Sequence, residues 1–172
     1  MSSLALPEEA HLLFVCEGTF EQYLISELLQ AGKLIVDASS VVDITRTRGA
    51  SQIQSQYLKK VQNYKGDDSR RENFSLGRLY RDRYPVLNFY THPEIEMLII
   101  VSEGMFSSYT QSFKSAMRLS EYCMQKLKLG NVKSRDFLEQ YWSIDALCKA
   151  IRDYASLAHA RKGEFVLAQL LR

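Results

Sequence analysis

The chain has 172 residues, of which 46% are hydrophobic and 24% charged, with a net charge of +2. This length and composition predict one globular domain with a substantial core. No apolar run approaches the roughly 20 residues that span a bilayer, the N-terminus lacks the basic region of a secretory signal, and the three cysteines form no CxxC pair. We therefore expect a cytoplasmic protein with buried, reduced thiols, no membrane partner, and neither a disulfide framework nor a zinc knuckle.

Charge is distributed unevenly along the chain. Residues 1–45 contain seven acidic side chains and one basic side chain, for a net charge of −6, whereas residues 46–83 contain ten basic and four acidic ones, for +6. Such an asymmetry favours a polyanionic partner held near carboxylates. An equally good interpretation is a solvated face whose arginines pair with nearby acids.

The first predicted elements are a strand, a tight loop and a helix. The continuous apolar run 12–15 predicts a buried strand. After the loop, the spacing of Phe20, Leu24 and Leu28 marks one face of a helix. Gly32 stands where a glycine commonly ends a helix.

The rest of the chain alternates strand and helix signals and then becomes helical. We predict strands over 34–36 and 41–45, an amphipathic helix over 51–61, an exposed loop over 62–73, a short basic helix over 74–83 and a strand over 86–90. From Pro93 onward the pattern is helical, with Ser143 as the N-cap of one helix and a last short helix over 164–172. This order predicts an α/β fold in which a small sheet of three or four strands is flanked by helices and followed by a helical C-terminal part.

Glu17 is the first candidate for chemistry. It follows a predicted buried strand, and open α/β folds bind ligands at the carboxyl ends of their strands. Gly18 would let the backbone approach a substrate closely. The competing interpretation is a surface glutamate that the dipole of the following helix favours.

Glu96 is the second candidate, because it stands beside the apolar helical run 97–101. A carboxylate among core side chains costs free energy unless it is paired or binds a metal ion. Glu103 falls on the same helical face as Glu96. The alternative is that Glu96 occupies the exposed side of the first helical turn.

The polar loop over 62–73 supplies the third candidate. Asp67, Asp68 and Glu72 offer the oxygen ligands that magnesium binds, although an acidic pair in a loop is equally explained by solvation. Arginines of the basic segment 46–83 are candidates for phosphate contacts. They are Arg46, Arg48, Arg70, Arg71 and Arg78. No GxxxxGKS/T, GxGxxG, HExxH or GxSxG motif occurs, which disfavours ATPase, dinucleotide-dependent dehydrogenase, zincin and α/β-hydrolase functions.

Two of these segments together resemble TOPRIM domains, especially those of the OLD and RloB-like families. The strand that ends in Cys16-Glu17-Gly18 is similar to their first motif. The segment 91–100 is similar to the later RloB-like motif, in which a polar residue and a proline precede a glutamate and an aliphatic helix. The resemblance covers residues 10–105 as a TOPRIM-like core and leaves 106–172 as a helical extension of the same domain.

The resemblance implies a magnesium-dependent nuclease that acts on RNA or DNA. Glu17 and Glu96 would be the catalytic glutamates, and Glu17, Asp68 and Glu96 would hold the metal ion, which neutralises charge on the phosphate. TOPRIM domains also carry an Asp-x-Asp pair at the end of a buried strand. In the matching interval this chain has only the adjacent Asp67 and Asp68, with Asp68 as the remnant of that pair.

The chain also resembles small proteins of Gram-positive mobile elements that act in counter-defence. Some type II-A anti-CRISPR proteins of that origin act on Cas9 and lead to a shortened guide RNA. The resemblance implies Cas9 with its guide RNA as a partner. Three functions stay open: a nuclease, a non-catalytic inhibitor that binds such a nucleoprotein through charged surfaces, and a structural or regulatory protein that binds neither metal nor nucleic acid.

Overall fold

The structure is a computed structural model that describes part of the chain. Backbone elements are described for residues 12–16, 19–36, 41–46, 61–65, 73–76, 89–90, 96–158 and 165–172. Side chains are described for residues 21–36, 96–158 and 166–172. The amphipathic helix predicted over 51–61 therefore lies outside the described residues, apart from its last position.

A strand, a helix and a parallel strand follow one another near the N-terminus. Strand β1 (Leu12–Cys16) pairs in parallel with β2 (Val41–Arg46), and helix α1 (Thr19–Gln30) lies between them in the chain. Leu24 and Leu28 are buried, as their helical spacing predicts. These elements were predictable because an apolar run and a 3.6-residue period are local signals.

Helix α1 ends in the predicted glycine turn. Gly32 has a φ of 63°, in the left-handed region that side chains with a Cβ disfavour. Its N–H donates to the Leu29 carbonyl over 3.0 Å, and the Lys33 N–H donates to the Leu28 carbonyl over 2.9 Å. These two bonds form a Schellman motif, which satisfies the last carbonyl groups of the helix.

The predicted sheet of three or four strands is wrong. Strands β3 (Val61–Lys65) and β4 (Asn73–Leu76) pair with each other in antiparallel fashion, and β5 (Phe89–Tyr90) pairs in parallel with β6 (Phe165–Val166). The described strands thus form separate pairs without a third strand. Among the residues with described side chains, 66% are helical and 3% extended. The predicted α/β fold is therefore wrong for the residues with described side chains, which form a mainly helical body.

The physical reason is that an apolar or alternating segment specifies an extended chain but not the strand beside it. Residues 73–76 alternate polar and apolar side chains, which is the period of a strand. The pairing of β3 and β4 therefore replaces part of the exposed loop predicted over 62–73 and the start of the basic helix predicted over 74–83.

The helical pattern predicted from Pro93 onward is confirmed where the chain is described. The helices are α2 (Glu96–Ser102), α3 (Phe106–Ser108) with a following π-helical turn (Tyr109–Phe113), α4 (Leu119–Gln125), α5 (Arg135–Tyr141) and α6 (Ile144–Leu157). Ser143 caps α6, since its Oγ accepts from the Ala146 N–H over 3.2 Å. The last predicted helix is reduced to a 3-10 turn, Leu167–Leu170. None of the described helices has the length and apolar character needed to cross a membrane.

Helix α2 lies at the centre of the helical body, because every residue from Glu96 to Val101 is buried. Leu98 packs in a first core cluster with residues of α1, α6 and the C-terminus. Ile99 and Ile100 pack in a second cluster with Tyr122 of α4. A charged side chain on α2 therefore has apolar surroundings.

The C-terminal residues pack against the segment that follows α1. The Ile35 N–H donates to the Leu170 carbonyl over 2.8 Å, and Leu34 forms an isolated antiparallel bridge with Leu171. The strand predicted over 34–36 is thus reduced to one bridge. The tail closes the first core cluster, in which Leu34 and Leu170 are both buried.

Candidate functional site

Most of the predicted site residues lie outside the described part of the chain. They are Glu17, Asp68, Arg48, Arg70, Arg71 and Arg78. Arg46 is the last residue of β2, and the parallel register sets it opposite Cys16, which precedes Glu17 in the sequence. Glu96 is the predicted site residue whose side chain the structure describes, so the site is built from it.

Glu96 begins helix α2 and is 1% exposed. Lys133, in the loop between α4 and α5, reaches this carboxylate, with Nζ 2.7 Å from Glu96 Oε1. The Lys133 side chain is 57% exposed, whereas that of Glu96 is 2% exposed. The pair therefore joins a buried carboxylate to an ammonium group at the surface, which offsets the cost of burying the charge.

The ion pair with Lys133 stabilises the buried Glu96 carboxylate. Oε1 is buried and accepts no hydrogen bond of regular geometry there, although Lys133 Nζ is within hydrogen-bonding distance. Charge attraction depends less on angle than a hydrogen bond does. Removing Lys133 would leave a buried negative charge, whereas removing Glu96 would leave a lysine whose side chain is 57% exposed.

Cys123 lies near this carboxylate, in the second core cluster. Burial first, and then the negative charges of Glu96 and Glu103, raise the pKa of the Cys123 thiol to about 11. Burial also raises the pKa of the Cys148 thiol. Both thiols stay protonated at neutral pH, unlike nucleophilic or metal-binding cysteines. The predicted burial is confirmed for these two cysteines, which form no disulfide within the described residues, and the Cys16 side chain lies outside the described residues.

A chain of hydroxyl groups joins the end of α2 to α5. Tyr141 Oη donates to Glu103 Oε1 over 2.6 Å and lies 2.6 Å from Ser102 Oγ. Since the phenol has one proton, Ser102 donates to Tyr141, in competition with the Ile99 carbonyl at 2.8 Å. Burial, and then the hydrogen bond to Glu103, raise the pKa of the Tyr141 phenol. Tyr141 therefore anchors α5 to α2 as a hydrogen-bond donor and is not poised as a nucleophile.

Sequence reasoning placed Glu96 and Glu103 on one helical face but missed their partners. Glu96 is buried, whereas Glu103 lies beyond the end of α2 and is exposed. Tyr141 is 38 residues from Glu103 along the chain, and Lys133 belongs to a loop that no pattern singles out. The one available signal was that a carboxylate beside an apolar run needs a cation.

The metal-binding role of Glu96 stays a prediction. Within the residues that the structure describes, no three His, Cys, Asp or Glu side chains are grouped so that they could hold a metal ion. The cation beside Glu96 is the Lys133 ammonium, whose single positive charge pairs with the carboxylate. The ligand set implied by the TOPRIM resemblance also needs Glu17 and Asp68, which lie outside the described residues.

The likeness to other proteins rests on the two motifs. The three comparisons, with models of protein families, with curated proteins and with solved structures, found no match for the chain. The TOPRIM-like and anti-CRISPR identities therefore stay predictions, and the function is argued from charge and from the arrangement around Glu96.

Proposed function

We propose that this protein is a non-catalytic inhibitor that binds a nucleoprotein, such as Cas9 with its guide RNA, through charged surfaces. The observation that carries the proposal is the ion pair between Glu96 and Lys133. A catalytic carboxylate has to reach the substrate or a metal ion. Glu96 is buried and engaged by a lysine, so it would reach neither without breaking this pair.

The charge distribution supports the same function. Residues 46–83 carry a net charge of +6, and residues 1–45 carry −6. A nucleoprotein offers phosphates to the basic segment and basic protein surface to the acidic one. Docking of this kind is steered by charge and weakens as salt screens it.

Charge reversal at Arg70, Arg71 and Arg78 tests the proposal. Binding of the wild type and of the triple variant to a purified Cas9–guide RNA complex would be measured at low and at high salt. We expect the variant to bind more weakly at low salt, and the difference to shrink as salt rises. Reversal at Lys149 on α6, which pairs with Asp153, is the control. Undiminished binding by the triple variant at low salt would remove the proposal.

The second candidate is a TOPRIM-like, magnesium-dependent nuclease. It is favoured by the N-terminal unit, in which β1, α1 and the parallel strand β2 follow one another and Glu17 comes directly after β1. Parallel α/β units bind ligands at the carboxyl ends of their strands. A magnesium ion would neutralise charge on a phosphate there, and Arg46 at the end of β2 would bind the same phosphate.

A cleavage experiment separates the two candidates. Labelled guide RNA and labelled DNA would be incubated with the wild type and with Glu17→Gln, in Mg²⁺, Mn²⁺ or EDTA, with and without Cas9. The inhibitor proposal expects the guide RNA to stay intact under every condition and the DNA to stay intact whenever Cas9 is absent. Metal-dependent cleavage that Glu17→Gln abolishes would replace it with the nuclease. If Glu17→Gln cleaved as well as the wild type, Glu17 would not be a catalytic residue.

A further inference from the structure

A second basic surface lies on the helical body, outside the segment 46–83. Residues 104–134 contain five basic side chains and one acidic side chain. Lys133 is bound to Glu96, and the other four basic side chains are exposed. We call these four the α4 basic surface: Lys114, Arg118, Lys126 and Lys128.

Aromatic contacts join Lys126, at one end of α4, to the turn that contains Lys114. Lys126 Nζ lies 5.0 Å from the ring centroid of Phe113, the residue before Lys114. The Phe113 ring in turn packs against Tyr122 of α4, at 5.2 Å between centroids. Arg118 is the N-cap of α4 and Lys126 is its C-cap, and a helix of this length separates its caps by about 12 Å at 1.5 Å per residue. The charges therefore follow one short helix and the turns at its ends.

The four charges form no ion pair with any residue that the structure describes. Glu121, the acidic residue of this region, accepts a hydrogen bond from the backbone N–H of Arg118 over 3.1 Å, not from its guanidinium group. Other basic side chains of the helical body do form ion pairs, among them Lys133, Arg135 and Lys149. Apart from Lys133, the region has four basic side chains and one acidic side chain, so it carries a net positive charge and attracts anions.

The backbone at Lys128 points to a role for its side chain. Lys128 has a φ of 59° and is the only described residue other than glycine with a positive φ. The turns after α1 and α2 meet the same requirement with Gly32, at 63°, and Gly104, at 70°. A Cβ is disfavoured in this region, so a lysine there is kept at a cost to folding. A strained backbone of this kind is a reason to look for a function of the side chain.

We infer that the α4 basic surface binds the phosphate backbone of a nucleic acid. The distance between the caps of α4, about 12 Å, corresponds to about four nucleotides at 3.4 Å per nucleotide of one strand. Insertion into a membrane would need a larger apolar patch, since the exposed large hydrophobic side chains of the described residues are Met124 and Leu157. Lysine and arginine contacts to phosphates fix position and read no base sequence.

This inference extends the proposed function with a second contact surface, and its test does not depend on residues 46–83. Lys128→Gly is the central variant. It removes one positive charge, and it also removes the Cβ that makes the positive φ unfavourable. Binding of a labelled oligouridylate and of a labelled DNA duplex would be measured across a range of salt concentrations. Urea denaturation of the same samples would measure stability.

We expect Lys128→Gly to unfold at a higher urea concentration than the wild type and yet to bind more weakly. The loss is about tenfold at about 50 mM salt, since one phosphate contact contributes a slope of about 0.7–0.9 in log affinity against log salt, extrapolated from about 1 M. The slope of log affinity against log salt concentration should become shallower by about 0.7–0.9. Lys126→Gln should also bind the nucleic acid more weakly than the wild type does. Lys149→Gln, with the same loss of charge on α6, is the matched control and should bind as the wild type does.

Several results would overturn the inference. They are undiminished binding by Lys128→Gly and Lys126→Gln, an equal loss in Lys149→Gln, absence of binding by the wild type, and preferential binding to poly-glutamate, which would assign the surface to an acidic protein. Charge reversal at Arg70, Arg71 and Arg78 keeps the two proposals apart. If that variant alone loses affinity, the central segment binds and the α4 basic surface does not. If the α4 variants alone lose affinity, the inference stands and docking by the central segment fails.

Discussion

Replacing Lys133 with methionine should destabilise the protein more than replacing its partner Glu96 with glutamine. The paired atoms are 2.7 Å apart, and their Coulomb attraction is about 6 kcal/mol at an effective dielectric constant of about 20. Water screens much of this attraction, because the Lys133 side chain is 57% exposed. An exposed pair contributes about 0–1 kcal/mol and breaking a buried pair costs about 3–5 kcal/mol, so we expect about 2–3 kcal/mol for Lys133→Met.

The difference in burial between the two partners sets the order of the variants. Lys133→Met leaves a carboxylate buried without its cation. Glu96→Gln leaves a lysine that water solvates and a neutral amide in the core, for which we expect a cost of about 1 kcal/mol. The double variant Glu96→Met with Lys133→Met removes both charges. It should be at least as stable as Lys133→Met, because apolar replacement of a whole buried pair is often neutral.

Urea denaturation followed by the fluorescence of Trp142 measures these free energies of unfolding. Trp142 is the single tryptophan and packs against both core clusters. Lys149→Met breaks a pair at the surface of α6 and serves as the control, with an expected change below about 1 kcal/mol. A smaller cost for Lys133→Met than for Glu96→Gln would refute the reasoning. If Mg²⁺ stabilised the wild type but not Glu96→Gln, Glu96 would be assigned as a metal ligand.

Three further predictions concern backbone, cap and thiol. Gly32→Ala should cost about 1 kcal/mol in thermal unfolding, since an added Cβ meets no atom within 4 Å and only the positive φ opposes it; an unchanged midpoint would contradict this. Ser143→Ala should cost about 1 kcal/mol in urea, and Ser143→Asp much less, because the Ala146 N–H needs an acceptor; equal costs would exclude the cap. The folded Cys123 holds its proton more tightly than the unfolded thiol, so its stabilising effect is complete below pH 9 and is lost as the pH rises towards about 11. Cys123→Ala should make the loss of stability over that interval shallower, and an identical pH profile would count against this explanation.

The elements predicted correctly are those whose signals act over one or two turns. The apolar run 12–15, the spacing of Leu24 and Leu28, the glycine at position 32 and the serine at position 143 each specify a strand, a helical face or a helix end without help from distant residues. The sheet was not predictable in this way. Whether β1 and β2 acquire a third strand depends on which other segments reach their edges, and no pattern within a strand specifies that.

The sequence by itself determined that a carboxylate, Glu96, would stand beside an apolar helical run, and that such a charge would need compensation. Only the tertiary structure decided that the residue is buried, that Lys133 compensates it, and that Tyr141 binds the neighbouring Glu103. The free energy of a buried charge depends on which side chains approach within a few ångströms. Those side chains come from other helices and loops, so packing selects them and local sequence does not.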